Sequence, residues 1–183
     1  RRQVAAKPAA LELLNVWVLP NVTLLRSQPR TSACSWENVV TGAYACYKRA
    51  GDPQREGRVL ELLSTQARDP GLRDLAVLRL AGLKAAERSA LDDARARFEQ
   101  ALALLERLLA SPAMLERAVD IRIDLRLVLG QLGEIRQQLH RLREAETLAV
   151  QLHDNLREAR VCSFMAVSHT LLGELEEALV AGT

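Results

Sequence analysis

The chain has 183 residues, of which 49% are hydrophobic, only 3% are aromatic and 26% are charged. The net charge of +2 excludes a strongly basic nucleic-acid binder, and the hydrophobic fraction excludes a disordered chain. No stretch of the sequence reaches the ~20 apolar residues that a membrane-spanning helix requires.

The first 30 residues are basic, because five basic side chains stand against Glu12 alone. Pro20 is expected to end a short helix there, since proline removes a backbone donor. A signal peptide is disfavoured, because Glu12 and Asn15 interrupt the apolar run over residues 11–19. We therefore separate residues 1–29, as a basic and partly helical segment, from the fold that follows.

Helix-breaking residues divide the remaining chain at regular intervals. One series of breaks falls at Pro29, Pro70, Pro112 and Asp154. A second series lies between them, at Gly51-Asp52, Asp92, Gly133-Glu134 and Gly173-Glu174. Each series has a period of about 40 residues, which is typical of stacked helix-turn-helix repeats. The sequence therefore predicts four helical hairpins, over residues 30–69, 71–111, 112–153 and 154–183, the last of them truncated.

Apolar residues recur at helical spacing between these breaks. The helix predicted over residues 36–50 carries an apolar face formed by Trp36, Val39, Val40, Ala43, Tyr44 and Tyr47. Pro53 is placed at the first position of the next helix, where proline is favoured. The second hairpin carries Leu72, Leu75, Leu78, Leu80 and Leu83 on its first helix, and Ala94, Phe98, Ala101 and Leu105 on its second.

The third hairpin is predicted as a helix over residues 113–129, a turn over 130–133 and a second helix ending near Leu152. Phe98 is expected to fill the space between adjacent repeats. Small residues are expected where helices approach closely, at Ala94, Ala101, Ala145 and Ala178. The chain does not begin with Met and its last predicted helix is short, so we expect a fragment of a longer protein.

Two segments resemble tetratricopeptide repeats (TPRs). The segment Gly173-Glu-Leu-Glu-Glu-Ala178 matches the family's core pattern, and Ser89-Ala-Leu-Asp-Asp-Ala94 repeats it, with Phe98 and Ala101 at the family's aromatic and alanine positions. The resemblance implies an all-α fold, a right-handed α-solenoid of about four TPR-like hairpins. Its period of 40–42 residues exceeds the usual period of about 34 and implies longer helices.

Residues 85–179 resemble, more specifically, a group of bacterial multidomain signalling proteins. The similar phrases are residues 98–103, 116–126 and 142–149. These proteins join a class III adenylate or guanylate cyclase domain, an AAA-type or STAND-type ATPase domain and a C-terminal TPR-like region. The resemblance implies a cytoplasmic, non-catalytic interaction and regulatory module. The sequence contains no Walker A motif and no cyclase motif, so an enzyme is the least favoured class for this chain.

Metal and cofactor sites are disfavoured by the cysteines and histidines. Cys34, Cys46 and Cys162 are far apart and form no C-x-x-C motif, and the three histidines stand at no ligand spacing. We therefore expect free thiols, no metal site, no cofactor and no catalytic residue.

Charged residues on two of the predicted helices form the candidate binding site. Asp120 and Asp124 stand one helical turn apart, with Arg117 beside them. Such a pair can bind a metal ion or perform acid–base catalysis, but the arginines favour a solvated or groove-facing charged stripe. Because the first helices of such repeats line the concave surface, we predict a mixed-charge groove for a peptide or a neighbouring domain. Its residues are Arg117, Asp120, Asp124, Arg157, Arg160, Phe164 and Ser168. The alternative is an ordinary solvent face whose ion pairs stabilise little.

The expected partner is therefore a protein or peptide segment, or another domain of the same chain, with no nucleic acid and no membrane. Arginine outnumbers lysine 22 to 3, but acidic residues are interleaved and aromatic residues are too few for base stacking. An alternative function is the effector-sensing superhelix of a large ATP-binding LuxR-family transcriptional regulator. A DNA-binding helix-turn-helix domain beyond Thr183 would favour that alternative.

Overall fold

The described part of the chain consists of helices and the short turns between them. The computed structural model describes residues 40, 42–44, 46–48, 53–108 and 111–182, and it contains no strand among them. The described residues between 40 and 48 are helical. Seven helices follow: α1 (Pro53–Gln66), α2 (Pro70–Glu87), α3 (Leu91–Leu108), α4 (Pro112–Gln131), α5 (Ile135–Gln151), α6 (Asn155–Leu172) and α7 (Leu175–Ala181). The all-α prediction is confirmed for these residues.

The helix boundaries follow the predicted breaks closely. α1, α2 and α4 all begin at proline, whose fixed φ suits the first helical position. Asp69 caps α2, because its side chain accepts a 2.7 Å hydrogen bond from the backbone N–H of Leu72. The turn predicted over residues 130–133 begins later, since α4 continues to Gln131. The predicted segment 1–29 and Trp36 lie outside the described residues.

One type of turn joins four pairs of helices. Ser89, Gly133, His153 and Gly173 have positive φ, between 52° and 77°. The residue after each donates its N–H to the carbonyl five residues earlier, as Glu134 does to Leu129 at 2.9 Å and Glu174 to His169 at 2.9 Å. This is the Schellman arrangement that terminates helices. Its recurrence gives the sequence repeat its physical basis.

The chain forms two compact units, residues 1–77 and 78–183. In the first unit, apolar side chains of α1 and of the helical residues before it are buried: Val40, Ala43, Tyr44, Tyr47, Val59, Leu60 and Leu63. Glu56 receives hydrogen bonds from the Tyr44 hydroxyl at 3.2 Å and from Lys48 Nζ at 3.1 Å.

In the second unit each helix packs against the next one along the chain, from α3 to α7. The shared core of α4, α5 and α6 consists of Val119, Ile123, Leu139, Leu142, Ala145, Val161 and Met165. Ala94, Ala101 and Ala145 are fully buried, as expected at close helix contacts. Phe98 is also buried, but its ring lies against Gly82 of α2. It therefore fills space against the helix that precedes it, rather than only between repeats.

Candidate functional site

Arg157 connects α6 to α4 through the buried Asp120 and the partly exposed Glu116. Its guanidinium lies 3.4 Å from Asp120, 3.2 Å from Glu116 and 2.5 Å from Asp154. The backbone N–H of Arg157 also donates to Asp154, the cap of α6, at 3.1 Å. Burial alone would lower the pKa of Arg157, but the carboxylates, Asp120 foremost, raise it above its ordinary value. The arginine is therefore a permanently charged connection between two helices.

Arg79 makes the equivalent connection between α2 and α4. Its Nε and Nη2 donate to one oxygen of Asp124, at 2.9 and 2.6 Å. The sequence analysis missed this residue, although a signal was present. Arg79 stands one turn from both Leu75 and Leu83, on the apolar side of α2, where a charged side chain needs a buried partner.

Arg117 is buried between these two connections. Burial and the nearby charge of Arg79 lower its pKa to about 10, against the opposing effects of Asp120 and Glu116. It remains charged at neutral pH. We call Arg79, Glu116, Arg117, Asp120, Asp124, Asp154 and Arg157 the interhelix charge network.

Ser168 belongs to a separate buried contact between α5 and α6. Its hydroxyl accepts a 2.8 Å hydrogen bond from Gln138 Nε2 and donates one to the carbonyl of Phe164. Gln138 occupies the helix position at which the neighbouring hairpins have Ala94 and Ala178. The polar pair therefore joins α5 and α6 by a hydrogen bond between two buried side chains.

Phe164 and Arg160 are the more accessible part of the predicted set. The Arg126 guanidinium lies 3.8 Å from the centre of the Phe164 ring, and that of Arg160 lies 5.7 Å from it. Burial, followed by the charge of Arg160, lowers the pKa of Arg126. Arg160 itself is exposed, so it offers a positive charge to solvent beside a half-buried aromatic ring.

The predicted mixed-charge groove therefore needs correction at four of its seven residues. Arg117, Asp120, Arg157 and Ser168 are buried between helices and do not line an open surface. The solvent-face alternative is wrong for them for the same reason. Asp120 is 2% exposed, and its carboxylate lies 3.4 Å from the Arg157 guanidinium. Asp124 is half-buried and paired with Arg79.

A different concavity lies between α5, α6 and α7, with a volume of about 1020 Å³. We call it the acidic groove, because four glutamates line it, Glu146, Glu158, Glu176 and Glu177, against two basic side chains, Arg143 and the buried His169. Ala159, Cys162, Met165 and Val180 contribute apolar surface. Glu146 contributes from α5, Glu158 and Cys162 from α6, and Glu176 from α7.

Cys162 lies within the acidic groove. Its Sγ stands 3.6 Å from a carboxylate oxygen of Glu146. Burial raises the pKa of this thiol, and the negative charges of Glu146 and Glu158 raise it further. The thiol is therefore a poor nucleophile and a sensitive reporter of charge in the groove. Sequence reasoning missed the groove because its acidic residues come from three helices whose arrangement is a tertiary property.

Comparison with known proteins adds no family to this description. No family model matches the chain, and no curated protein shows significant similarity to it. Within the described ranges, no helix is long and apolar enough to cross a membrane. The same residues include no group of three or more side chains that could hold a metal ion.

Proposed function

We propose that the chain is a non-catalytic protein-interaction module, a right-handed TPR-like solenoid that binds a cationic segment in its acidic groove. The segment would come from a protein partner or from another domain of the same parent chain. The observation that carries the proposal is the set of four glutamates, with one arginine, around an open concavity of about 1020 Å³. The resemblance to cyclase/ATPase proteins suggests a cytoplasmic bacterial signalling protein as the parent.

The charge of the groove favours a basic ligand. In the α4–α5 hairpin, Arg122 of α4 pairs with Glu144 of the covering helix at 2.9 Å. Cys162 stands 40 residues after Arg122, at the matching position of α6, and its neighbours are carboxylates. α5 supplies a negative charge to α4 through Glu144, whereas a segment that covers α6 at Cys162 would need to supply a positive charge.

The size and lining of the groove favour a peptide over a small molecule. Small-molecule sites are mostly enclosed clefts of about 300–1,000 Å³ with predominantly apolar walls. This groove is at the upper limit of that range, is open, and has charged rims. Met165 and Val180 provide apolar contact for one or two side chains, and each CH₂ buried there contributes ~0.8 kcal/mol.

Regulation would follow from competition for the segment. While it lies in the groove, its lysines or arginines are unavailable to other domains of the parent protein. The glutamates are solvent-accessible, so each pair contributes only ~0.2–1 kcal/mol and weakens as salt rises. Such binding is readily reversible, which suits a regulatory contact.

A peptide titration tests the proposal. The probe is a lysine-rich amphipathic peptide, compared with a matched peptide in which glutamate replaces every lysine. We expect only the lysine peptide to bind, and Glu146→Gln with Glu158→Gln to weaken it about three- to tenfold. Glu106→Gln, at an exposed site on α3 outside the groove, is the matched control. Equal binding of both peptides, or equal losses in the control, would contradict the proposal.

A further inference from the structure

Arg126 of α4 and Arg160 of α6 bring two positive charges together without a carboxylate between them. Their guanidinium carbons lie 3.8 and 5.7 Å from the centre of the Phe164 ring. Among the described residues, neither guanidinium has an ion-pair partner. We call Arg126 and Arg160 the arginine pair. The pair and the ring belong to α4 and α6, whose full lengths are described, and none of the three residues lies on α7.

The pKa of Arg126 reflects the lack of a counter-charge. Burial lowers this pKa, and the charge of Arg160 lowers it further. Arg117, Arg141 and Arg157 differ, because carboxylates raise the pKa of each of them against the effect of burial. Neither helix places a carboxylate three or four residues from Arg126 or Arg160, where it would share their face. The two arginines therefore repel each other without compensation from α4 or α6.

Arg126 also has a hydrogen-bond donor that no protein group uses. Its Nε–H is buried and finds no acceptor among the described residues. The guanidinium lies over the Phe164 ring, which attracts a cation and holds the side chain in place. The ring has no net charge, however, so the charge of Arg126 stays unbalanced. Because Arg160 is exposed, a solute can reach the arginine pair.

The preceding contact between first helices has a carboxylate at the position of Phe164. Asp124 stands 40 residues before Phe164 and accepts two hydrogen bonds from Arg79 of α2, at 2.9 and 2.6 Å. Arg126 of α4 likewise approaches Phe164 from the preceding first helix, but it meets a ring. The negative charge that Asp124 supplies between α2 and α4 is therefore missing between α4 and α6, where an external anion would supply it.

We propose that the arginine pair binds the phosphate group of a phosphate monoester. A phosphate monoester carries nearly two negative charges at neutral pH and so balances two guanidinium groups, whereas a single carboxylate balances one. The planar N–H donors of arginine also match phosphate oxygens in geometry. Phe164 is a positioning residue, because it holds Arg126 beside Arg160. The site is independent of the acidic groove, since they share no lining residue and bind ligands of opposite charge.

Titration of the whole chain with inorganic phosphate tests this site. The Nε–H signals of the arginines are followed by proton–nitrogen NMR at mildly alkaline pH, while sodium chloride keeps the ionic strength constant. We expect the signals of Arg126 and Arg160 to shift together and to saturate with one dissociation constant. Acetate, which carries a single charge, should bind about tenfold more weakly.

Variants of the protein separate this site from general attraction of anions. Arg160→Gln should weaken phosphate binding about tenfold and leave the circular dichroism unchanged, because the residue is exposed. Arg126→Gln should weaken phosphate binding to a similar degree. Arg107→Gln is the matched control, since Arg107 is exposed on α3 and has no ion-pair partner among the described residues. This control and Glu146→Gln in the acidic groove should both leave phosphate affinity unchanged.

A peptide with one phosphoserine between two leucines identifies the source of the phosphate. Val167 stands one turn after Phe164 and is 53% exposed, so it offers apolar contact to a leucine. Tighter binding than that of inorganic phosphate, lost in the unphosphorylated peptide, would assign the site to a phosphorylated protein segment. Equal binding of the phosphopeptide and inorganic phosphate would assign it to a free phosphate ester.

Two results would overturn the proposal. The first is equal affinity for phosphate and acetate, because the pair would then not recognise a doubly charged group. The second is an equal loss of phosphate affinity in Arg160→Gln and Arg107→Gln, because binding would then depend only on the overall charge of the chain.

Discussion

Gly82→Ala is predicted to destabilise the protein, although the same change in most helices stabilises. Gly82 lies inside α2, where alanine is usually favoured over glycine by ~1 kcal/mol. A Cβ added at Gly82 would lie 2.9 Å from Cε1 of Phe98, 3.0 Å from Cζ and 3.1 Å from Cδ1. The first distance is shorter than real Cβ contacts and the other two are tighter than most, so the ring or the backbone would have to shift.

The Phe98 ring cannot easily move away from the added methyl group. It is 1% exposed, and Ala94 and Ala101 on the same helix are fully buried. Overpacking of a well-packed site costs typically ~1–3 kcal/mol. Set against the helix-propensity gain of ~1 kcal/mol, the expected net change is a destabilisation of about 0–2 kcal/mol.

Urea unfolding followed by far-ultraviolet circular dichroism measures this change. Gly57→Ala in α1 is the control, because an added Cβ there meets no atom within 4 Å, and it should stabilise by ~0.5–1 kcal/mol. Phe98→Leu should remove the clash, so that Gly82→Ala becomes stabilising in that background. A stabilising effect of Gly82→Ala in the otherwise unaltered chain would refute the close approach of α2 and α3.

Three further predictions follow from the turns, the interhelix charge network and the groove thiol. Gly133→Ala should destabilise the protein by ~1–2 kcal/mol in urea unfolding, because Gly133 has a φ of 76°, which strains a residue with a side chain. A steric clash is not the cause, since an added Cβ meets no atom within 4 Å. An unchanged stability would contradict the turn geometry. Arg157→Glu should destabilise by ~3–5 kcal/mol, because it leaves the buried Asp120 without its partner and adds a carboxylate beside Asp120, Glu116 and Asp154. Arg160→Glu at an exposed site should stay within ~0.5 kcal/mol, and equal effects would contradict the difference in burial. Burial, Glu146 and Glu158 raise the pKa of Cys162, so Glu146→Gln should lower it. Alkylation of Cys162 should then become faster at a fixed, mildly alkaline pH, because more of the thiol is ionised. An unchanged pH–rate profile would contradict the 3.6 Å contact between Cys162 and Glu146.

The sequence was sufficient for the helices because their boundaries depend on local chemistry. Pro53, Pro70 and Pro112 each begin a helix, because proline's fixed φ suits the first helical position and its missing N–H has no partner to lose there. Gly133 and Gly173 terminate helices because glycine adopts a positive φ at little cost. Ser89 and His153 adopt the same conformation without that advantage, so these two turns were visible only through their spacing.

The candidate site was less predictable because it depends on which helices meet. Asp120, Asp124 and Arg157 were identified as a functional set, but the alternation of charges did not reveal that they pair across helices in the interior. Arg79 lies in a leucine-rich helix and was not singled out, because its partner Asp124 is 45 residues away. The acidic groove brings together Glu146 of α5, Glu158 of α6 and Glu176 of α7, and residue spacing does not show that these three helices meet there.

The central claim is that a cationic segment occupies the acidic groove, and the reactivity of Cys162 tests it most directly. In a chain with Cys34→Ser and Cys46→Ser, the alkylation rate of Cys162 is measured with and without a saturating lysine-rich peptide, at low and high salt. We predict that, at low salt, the lysine peptide lowers the pKa of Cys162 and so shifts the pH–rate profile of alkylation to lower pH, because its positive charges offset those of Glu146 and Glu158. High salt should remove this shift, and the glutamate peptide should cause none. A pH–rate profile that stays unchanged while the lysine peptide is bound would place the peptide elsewhere and contradict the claim.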